Sequence, residues 1–294
     1  MNESKLKERK LKNLLRKTDD SEIASLKGTI ISIIEIINDP KSNLNDLKEL
    51  LQLDPPLTAR VFRVANSPYY AAPRPLHEIE EAVVWIGFDA LQEIVLTQKY
   101  SEILKNCRRV KGFSPETIWK HCLAVALLSK MIMRKEFGLK GNDAYAAGLL
   151  HDIGLIVEDQ LQYDDFGKVM QEVVDGHQEI LTAEMSVLGF DHADVGRMLA
   201  EHWNFPHAFA DVIGSHHDPT MGVADDGRIV KVLYVADFLS FEAGFGYGKG
   251  TRQDKELFAM VTDELKLEPF ALSLITEAMK EEMERIEEKG VFLR

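Results

Sequence analysis

Nine histidines are spread over this chain, and eight of them lie between His121 and His217. The adjacent pair His151-Asp152, in AAGLLHDIGL, is the most informative. It ends an apolar helical pattern, so an imidazole and a carboxylate stand side by side at the edge of a core. Burying that carboxylate without a cation or several donors costs about several kcal/mol. Two solutions are open: an N–H···O⁻ pair fixing one helix against another, or a divalent metal, for which neutral imidazole and carboxylate are good ligands. The pair has companions. His121 lies 30 positions before His151, His192 lies 40 after Asp152, and the adjacent His216-His217 follow. Asp237 closes the series within VLYVADFL, an otherwise apolar helix in which a carboxylate needs a partner.

The elements that must position these residues are helices. Apolar residues recur at helical spacing over 23–51, where Ile30, Ile33, Ile34 and Ile37 share a face and Asp39-Pro40 stops the run. Asp54 is an N-cap with Pro55 at the first helical position, and Asn66-Ser67-Pro68 ends that helix. Further helix follows over 79–96, interrupted at Gly87. Ser114 caps a second half that begins Pro115-Glu116-Thr117, with helices over 119–133, 143–156, 182–188, 192–203, 206–216, 228–241 and 268–288. No alternating run argues for a sheet, and no repeat or low-complexity tract appears.

The fold expected is therefore all-α, a helical N-terminal half packed on a second helical bundle. Its parts are a basic leader helix (1–18), an N-terminal half (19–113), a second half carrying the histidines (114–242), and a glycine-rich connection with a C-terminal helix (243–294). The leader sets Lys5, Lys7, Arg9, Lys10, Lys12, Arg16 and Lys17 around four leucines. It reads as a solvated helix partly packed on the body, or as a dock for an acidic partner or anionic lipid. The run 244–250 has neither a preceding strand pattern nor Walker spacing, and reads as a flexible connection instead of a phosphate cradle. Asn66, Tyr69 and Tyr70 in ANSPYY read as a loop anchor before a recognition surface.

The formal charge of −13 argues against general nucleic-acid binding. Only Cys107 and Cys122 are present, so disulfides do not hold the fold and a cytoplasmic home is expected. No apolar run suits a signal peptide or the roughly 20 residues of a membrane span.

The order His, His-Asp, His, His-His, Asp resembles the HD phosphohydrolase superfamily, and in particular the metal-ligand series of HD-GYP phosphodiesterases. With DPPLTARVFRVANSPYY, IEEAVVWIGFDALQEIVL and HADVGRMLAEHWNFPHAFADVIGSHH, the chain resembles the HDOD family, a branch of that superfamily, over 23–237. The resemblance implies an HD-type second half in which Asp152 bridges two metals and is the tentative catalytic residue. It implies His121, His151 and Asp237 around one ion, and His192 with His216 or His217 around the other. The other member of the pair would meet a phosphate or a supporting carboxylate such as Asp218. One or two divalent ions are implied, iron first, with manganese, nickel or zinc as alternatives.

The chemistry implied is metal-assisted hydrolysis of a phosphoester. Against that, Leu155 stands where HD-GYP enzymes carry a phosphate-binding lysine, HHDPTMG lacks the GYP triplet, and HDOD members are known chiefly as regulatory or output modules. A bacterial signalling protein with a protein partner is thus the leading expectation, and a phosphohydrolase the alternative. Arg197 and Lys231, on the helices of His192 and Asp237, are candidates for binding a substrate anion, though solvated surface is the plainer reading. His77 is expected at the surface, His177 in a turn, His202 in packing or a hydrogen bond, and His207 at a helix start without a partner.

Overall fold

Local signals close the first helices. Asn43 caps α3 (Leu44–Gln52) with a reciprocal bond to Asp46. Asp54 accepts the Leu57 amide at 2.9 Å and opens α4 (Pro55–Ala65). Gly87, at φ +90°, separates α5 (Ile79–Ile86) from α6 (Phe88–Ile103), in a conformation that side chains disfavour. The computed structural model describes residues 3–176, 178–220, 227–247 and 254–289. Among them there is no strand, only an isolated bridge between Val110 and Phe113. The protein is all-α, and His177 lies outside the described residues.

The N-terminal half is completed by α1 (Glu3–Asp19) and α2 (Glu22–Asn38). The second half is built on α7 (Pro115–Phe137), which packs against α8 (Asn142–Leu150), α14 (Arg228–Glu242) and α16 (Pro269–Glu288). Around these lie α9 (Ile153–Leu161), α10 (Tyr163–Val174), α11 (Ile180–Val187), α12 (His192–His202), α13 (His207–Gly214) and α15 (Lys255–Glu264). One hydrophobic core runs continuously from Leu11 to Ile286, so the two halves share an interior. Thr97 on α6 bonds Tyr145 on α8 at 2.8 Å, and Glu93 pairs with Lys130 of α7 at 2.5 Å across the same seam.

The leader helix lies on the second half. Leu11 and Leu14 are buried, Lys7 pairs with Asp194 at 2.5 Å, and Lys10 donates to the Leu188 carbonyl at 2.6 Å. Lys5, Arg9, Lys12, Arg16 and Lys17 face solvent. In ANSPYY, the Asn66 carboxamide takes the Leu76 N–H at 2.7 Å and donates to its carbonyl at 2.9 Å, which pins the loop over 66–76. Tyr69 and Tyr70 meet edge to face with centroids 4.7 Å apart. Among the described residues no helix is long and apolar enough to cross a membrane.

The helix expected over 143–156 is instead two, broken at His151-Asp152. The break is tertiary in origin. Gly154, at the start of α9, lies against α12, and a Cβ there would sit 2.0 Å from the His192 carbonyl oxygen. Gly148 does the same one turn earlier, its Cβ position being 2.7 Å from Ala126 Cα on α7. Two helices, α10 and α15, were not anticipated from the sequence. Gly154→Ala must push α9 from α12 and is expected to destabilise the protein by about 1–3 kcal/mol. Urea unfolding should show a lower midpoint with an unchanged slope.

Candidate metal centre

Five separated segments bring the metal-ligand candidates together. His121 comes from the middle of α7, His151 and Asp152 from the α8–α9 break, and His192 from the first turn of α12. His216 and His217 follow α13, and Asp237 lies on α14. His121, His151, Asp152, His192 and His216 are essentially without solvent exposure.

Asp152 sits between two groups of donors. Its Oδ1 lies 3.2 Å from His192 Nε2 and 3.6 Å from His216 Nε2. Its Oδ2 lies 3.2 Å from His151 Nε2 and 3.4 Å from His121 Nε2. His217 Nε2 is 2.8 Å from His192 Nε2, and Asp237 Oδ1 is 3.1 Å from His121 Nε2. One set is therefore Asp152, His192, His216 and His217, the other His121, His151 and Asp237, with donor atoms in each set within 4.8 Å of one another.

The far side of each ring fixes which nitrogen faces inward. Nδ1 of His151 meets the Gly148 carbonyl at 2.8 Å, and Nδ1 of His216 meets the Ile213 carbonyl at 2.6 Å. Both partners are carbonyls three residues back, freed where α8 and α13 end. Nδ1 of His121 meets the Phe245 carbonyl at 3.0 Å, and Nδ1 of His192 meets both Glu184 oxygens at 2.9 Å. These partners only accept, so each Nδ1 carries a proton and each Nε2 is left to face the centre. Asp152 Oδ1, His216 Nε2 and Asp237 Oδ1 are buried without a hydrogen-bond partner. Imidazole nitrogens, two carboxylates and orphaned acceptors converging on one buried place suit a divalent transition metal.

Protons balance the charge when no cation does. Burial opposes ionisation of Asp152, but His151, His192 and His216 outweigh it and hold its carboxyl well below the usual range. Burial disfavours a charged His192, yet Glu184 and Asp152 raise its pKa well above the usual histidine value. Burial, then His151 and His192, depress His216; burial, then His216 and His192, depress His217 further. His192 thus lies between the carboxylates of Glu184 and Asp152, which favour its charged form.

Three participants went unnoticed in the sequence. Glu184 is fully buried on α11, and also takes the His192 amide at 3.1 Å. Its setting between Ile180, Ala183 and Val187 carries the same signal that singled out Asp237, a carboxylate on an apolar face. Phe245 contributes only a carbonyl, and Tyr247, 2% exposed, donates its hydroxyl to Asp152 Oδ2 at 2.8 Å. No pattern in the sequence points to either.

Arg197 and Lys231 stand apart from this cluster. Arg197 is paired with Asp211 and with Glu201, and Lys231 lies 2.9 Å from Glu264. Asp218 is exposed and bonds Thr220, so Glu184 is the carboxylate that supports a ligand. His77 is exposed, and His202 bonds Asp19 at 2.7 Å. A cavity of about 180 Å³ opens beside His217 and Asp237, walled by Tyr234, Phe238, Phe241 and Leu257. Among the described residues no lysine or arginine lines it, and Leu155 is buried in the core.

A family model described as the HDOD domain matches residues 23–219. Among solved structures, an HDOD domain protein of unknown function from Geobacter sulfurreducens superposes with a TM-score of 0.76 at 28% identity, over 91% of this chain and 92% of that one. A signal-transduction candidate from Marinobacter aquaeolei superposes with a TM-score of 0.73 at 24% identity, over 90% of this chain and 58% of that one. An uncharacterized protein from Treponema pallidum is 23% identical over 201 residues, 67% of this chain and 38% of its own length. The chain thus spans well under half of that curated relative.

Because His192 must shed a proton to bind a cation, metal uptake should release protons and weaken as pH falls through the raised His192 pKa. Calorimetric titrations in buffers of different ionisation enthalpy measure that release. Glu184→Gln keeps the shape but gives up one of the two acceptors on His192, and is expected to weaken metal affinity about 10–100-fold. Chelator competition reads the change.

Proposed function

This chain belongs to the HDOD family, and from that premise we propose that it is a signal-transduction protein. Its second half would hold one or two divalent transition-metal ions, iron first, and its metal-dependent state would be passed to a protein partner. The observation that supports this most is the convergence of inward-facing Nε2 atoms on Asp152, whose two oxygens serve two donor sets. A cation held there supplies Lewis acidity and, for iron or manganese, a charge that changes with oxidation state. Glu184 holds the His192 ring through Nδ1 and leaves Nε2 facing Asp152, while His151 and His216 are oriented by the helix ends behind them. The solved relative from Marinobacter aquaeolei, a signal-transduction candidate by name, supports the same assignment.

Hydrolysis of a phosphoester is the second reading, favoured by the split of Asp152 between two donor sets. Against it stands the cavity beside the centre. Apart from the His217 imidazole its described walls are aromatic, aliphatic and acidic, and offer a phosphate no lysine or arginine.

Purification under anaerobic conditions with iron and manganese supplied is expected to give at least one ion per chain by elemental analysis. Asp152→Ala should reduce this to below about a few tenths, since its carboxylate lies within 3.4 Å of histidines of both sets. The loaded protein should leave cyclic dinucleotides and bis(p-nitrophenyl) phosphate intact. Turnover that disappears in Asp152→Ala would establish the hydrolase instead, and a wild-type protein without metal would reduce the cluster to helix packing.

A further inference from the structure

The segment Gly244–Tyr247 lies past the 23–219 region matched to the family, yet it touches the centre twice. It leaves the end of α14, the helix of Asp237, by a turn in which Gly244 has φ +89° and the Phe245 amide returns to the Ser240 carbonyl at 3.0 Å. That left-handed turn suits glycine. Gly246 then crosses the Phe241 ring so closely that a Cβ would lie 2.1 Å from its Cδ1. This close crossing carries the Phe245 carbonyl to His121 Nδ1 and the Tyr247 ring into the core. There Tyr247 meets the His121 ring edge to face, with centroids 5.0 Å apart.

Tyr247 also settles the surroundings of Asp152 Oδ2. The nearby nitrogens of His121 and His151 are Nε2 atoms, each on a ring whose Nδ1 is spent on a carbonyl. The buried phenol donates its hydroxyl to this oxygen at 2.8 Å. One short strap therefore orients one residue of each donor set, His121 and Asp152.

We propose that Gly244–Tyr247 is a strap coupled to the metal centre, with Tyr247 as positioning residue for Asp152 and the Phe245 carbonyl as positioning group for His121. The seating of the strap and the uptake of metal are then one linked equilibrium. A strap held in place raises metal affinity, and by reciprocity a bound metal holds the strap. This inference rests on the metal reading of the site and extends it to a segment that leads away from α14.

The test uses the full chain and Mn²⁺. Free Mn²⁺ is followed by electron paramagnetic resonance, and the backbone over 244–247 by hydrogen–deuterium exchange. In the wild type, Mn²⁺ should slow exchange of the strap by about tenfold or more, the reciprocal of the affinity the strap contributes. Tyr247→Phe removes only the hydroxyl and should bind Mn²⁺ about 10–100-fold more weakly. Gly246→Ala, which keeps Tyr247 but displaces the crossing over Phe241, should weaken binding in the same direction. Rescue of neither variant by added Mn²⁺ at wild-type concentrations, with unaltered helical content by circular dichroism, is the expected pattern. Affinities within about twofold of wild type in both variants, with strap exchange indifferent to Mn²⁺, would overturn the strap while leaving the metal centre intact. A wild type that binds neither Mn²⁺ nor Fe²⁺ would overturn the metal reading, and the strap with it.

Discussion

The structure turns on the mutual repulsion of electron pairs gathered where water cannot screen them. Four imidazoles present Nε2 to one buried place, and the carboxylates of Asp152 and Asp237 share it. In a low-dielectric interior such an assembly is unfavourable unless a positive charge sits within it. Protons on imidazoles provide that charge at a cost in ring orientation, because an imidazolium has no lone pair to direct. The acceptors behind each Nδ1 argue for a different balance. Glu184, the Gly148 and Ile213 carbonyls and the Phe245 carbonyl all hold the rings as metal ligands need them.

Bringing five segments to one point demands backbones in close contact, and glycine supplies it. Gly148 sets α8 against α7, Gly154 sets α9 against α12, and a Cβ on Gly196 would lie 2.7 Å from Ile213 on α13. Each contact joins helices that carry or directly flank a candidate ligand. The break between α8 and α9 follows from the same demand. A continuous helix would carry Asp152 past the centre, whereas the turn at His151-Asp152 lets the two neighbours face different donors.

Much of this was legible in the sequence where the cause is local. The caps at Asp54 and Ser114 and the interruption at Gly87 depend on neighbours within a turn, and the helices begin and end there. The series His121, His151-Asp152, His192, His216-His217, Asp237 stood out because polar residues on apolar helices need partners. The same logic, applied to Glu184 between Ile180 and Val187, would have found it. Helix α10 was missed although its signal is local, since Phe166, Val169, Met170 and Val173 recur at helical spacing and are buried on one side. The break inside 143–156 was not visible. Its apolar spacing resumes at Ile153, Leu155 and Ile156 after His151-Asp152, and the contact of Gly154 with α12 is not written in the local sequence. Tyr247 was hidden for a related reason: a glycine-rich stretch signals freedom when read alone, and becomes a fixed path only against Phe241.

The position of α8 explains how a buried centre can matter to the rest of the molecule. One end of this helix delivers His151 to the donors, and its flank receives α2 and α6 of the N-terminal half. The Thr97–Tyr145 hydroxyl pair and the Glu93–Lys130 ion pair lie along that flank. Burial raises the Glu93 pKa even though Lys130 opposes it. A shift of His151 would reach the N-terminal half through α8, whose Tyr145 hydroxyl is bonded to Thr97. The N-terminal half thus packs on the helix that ends at His151, although the candidate ligands all lie beyond it in the chain.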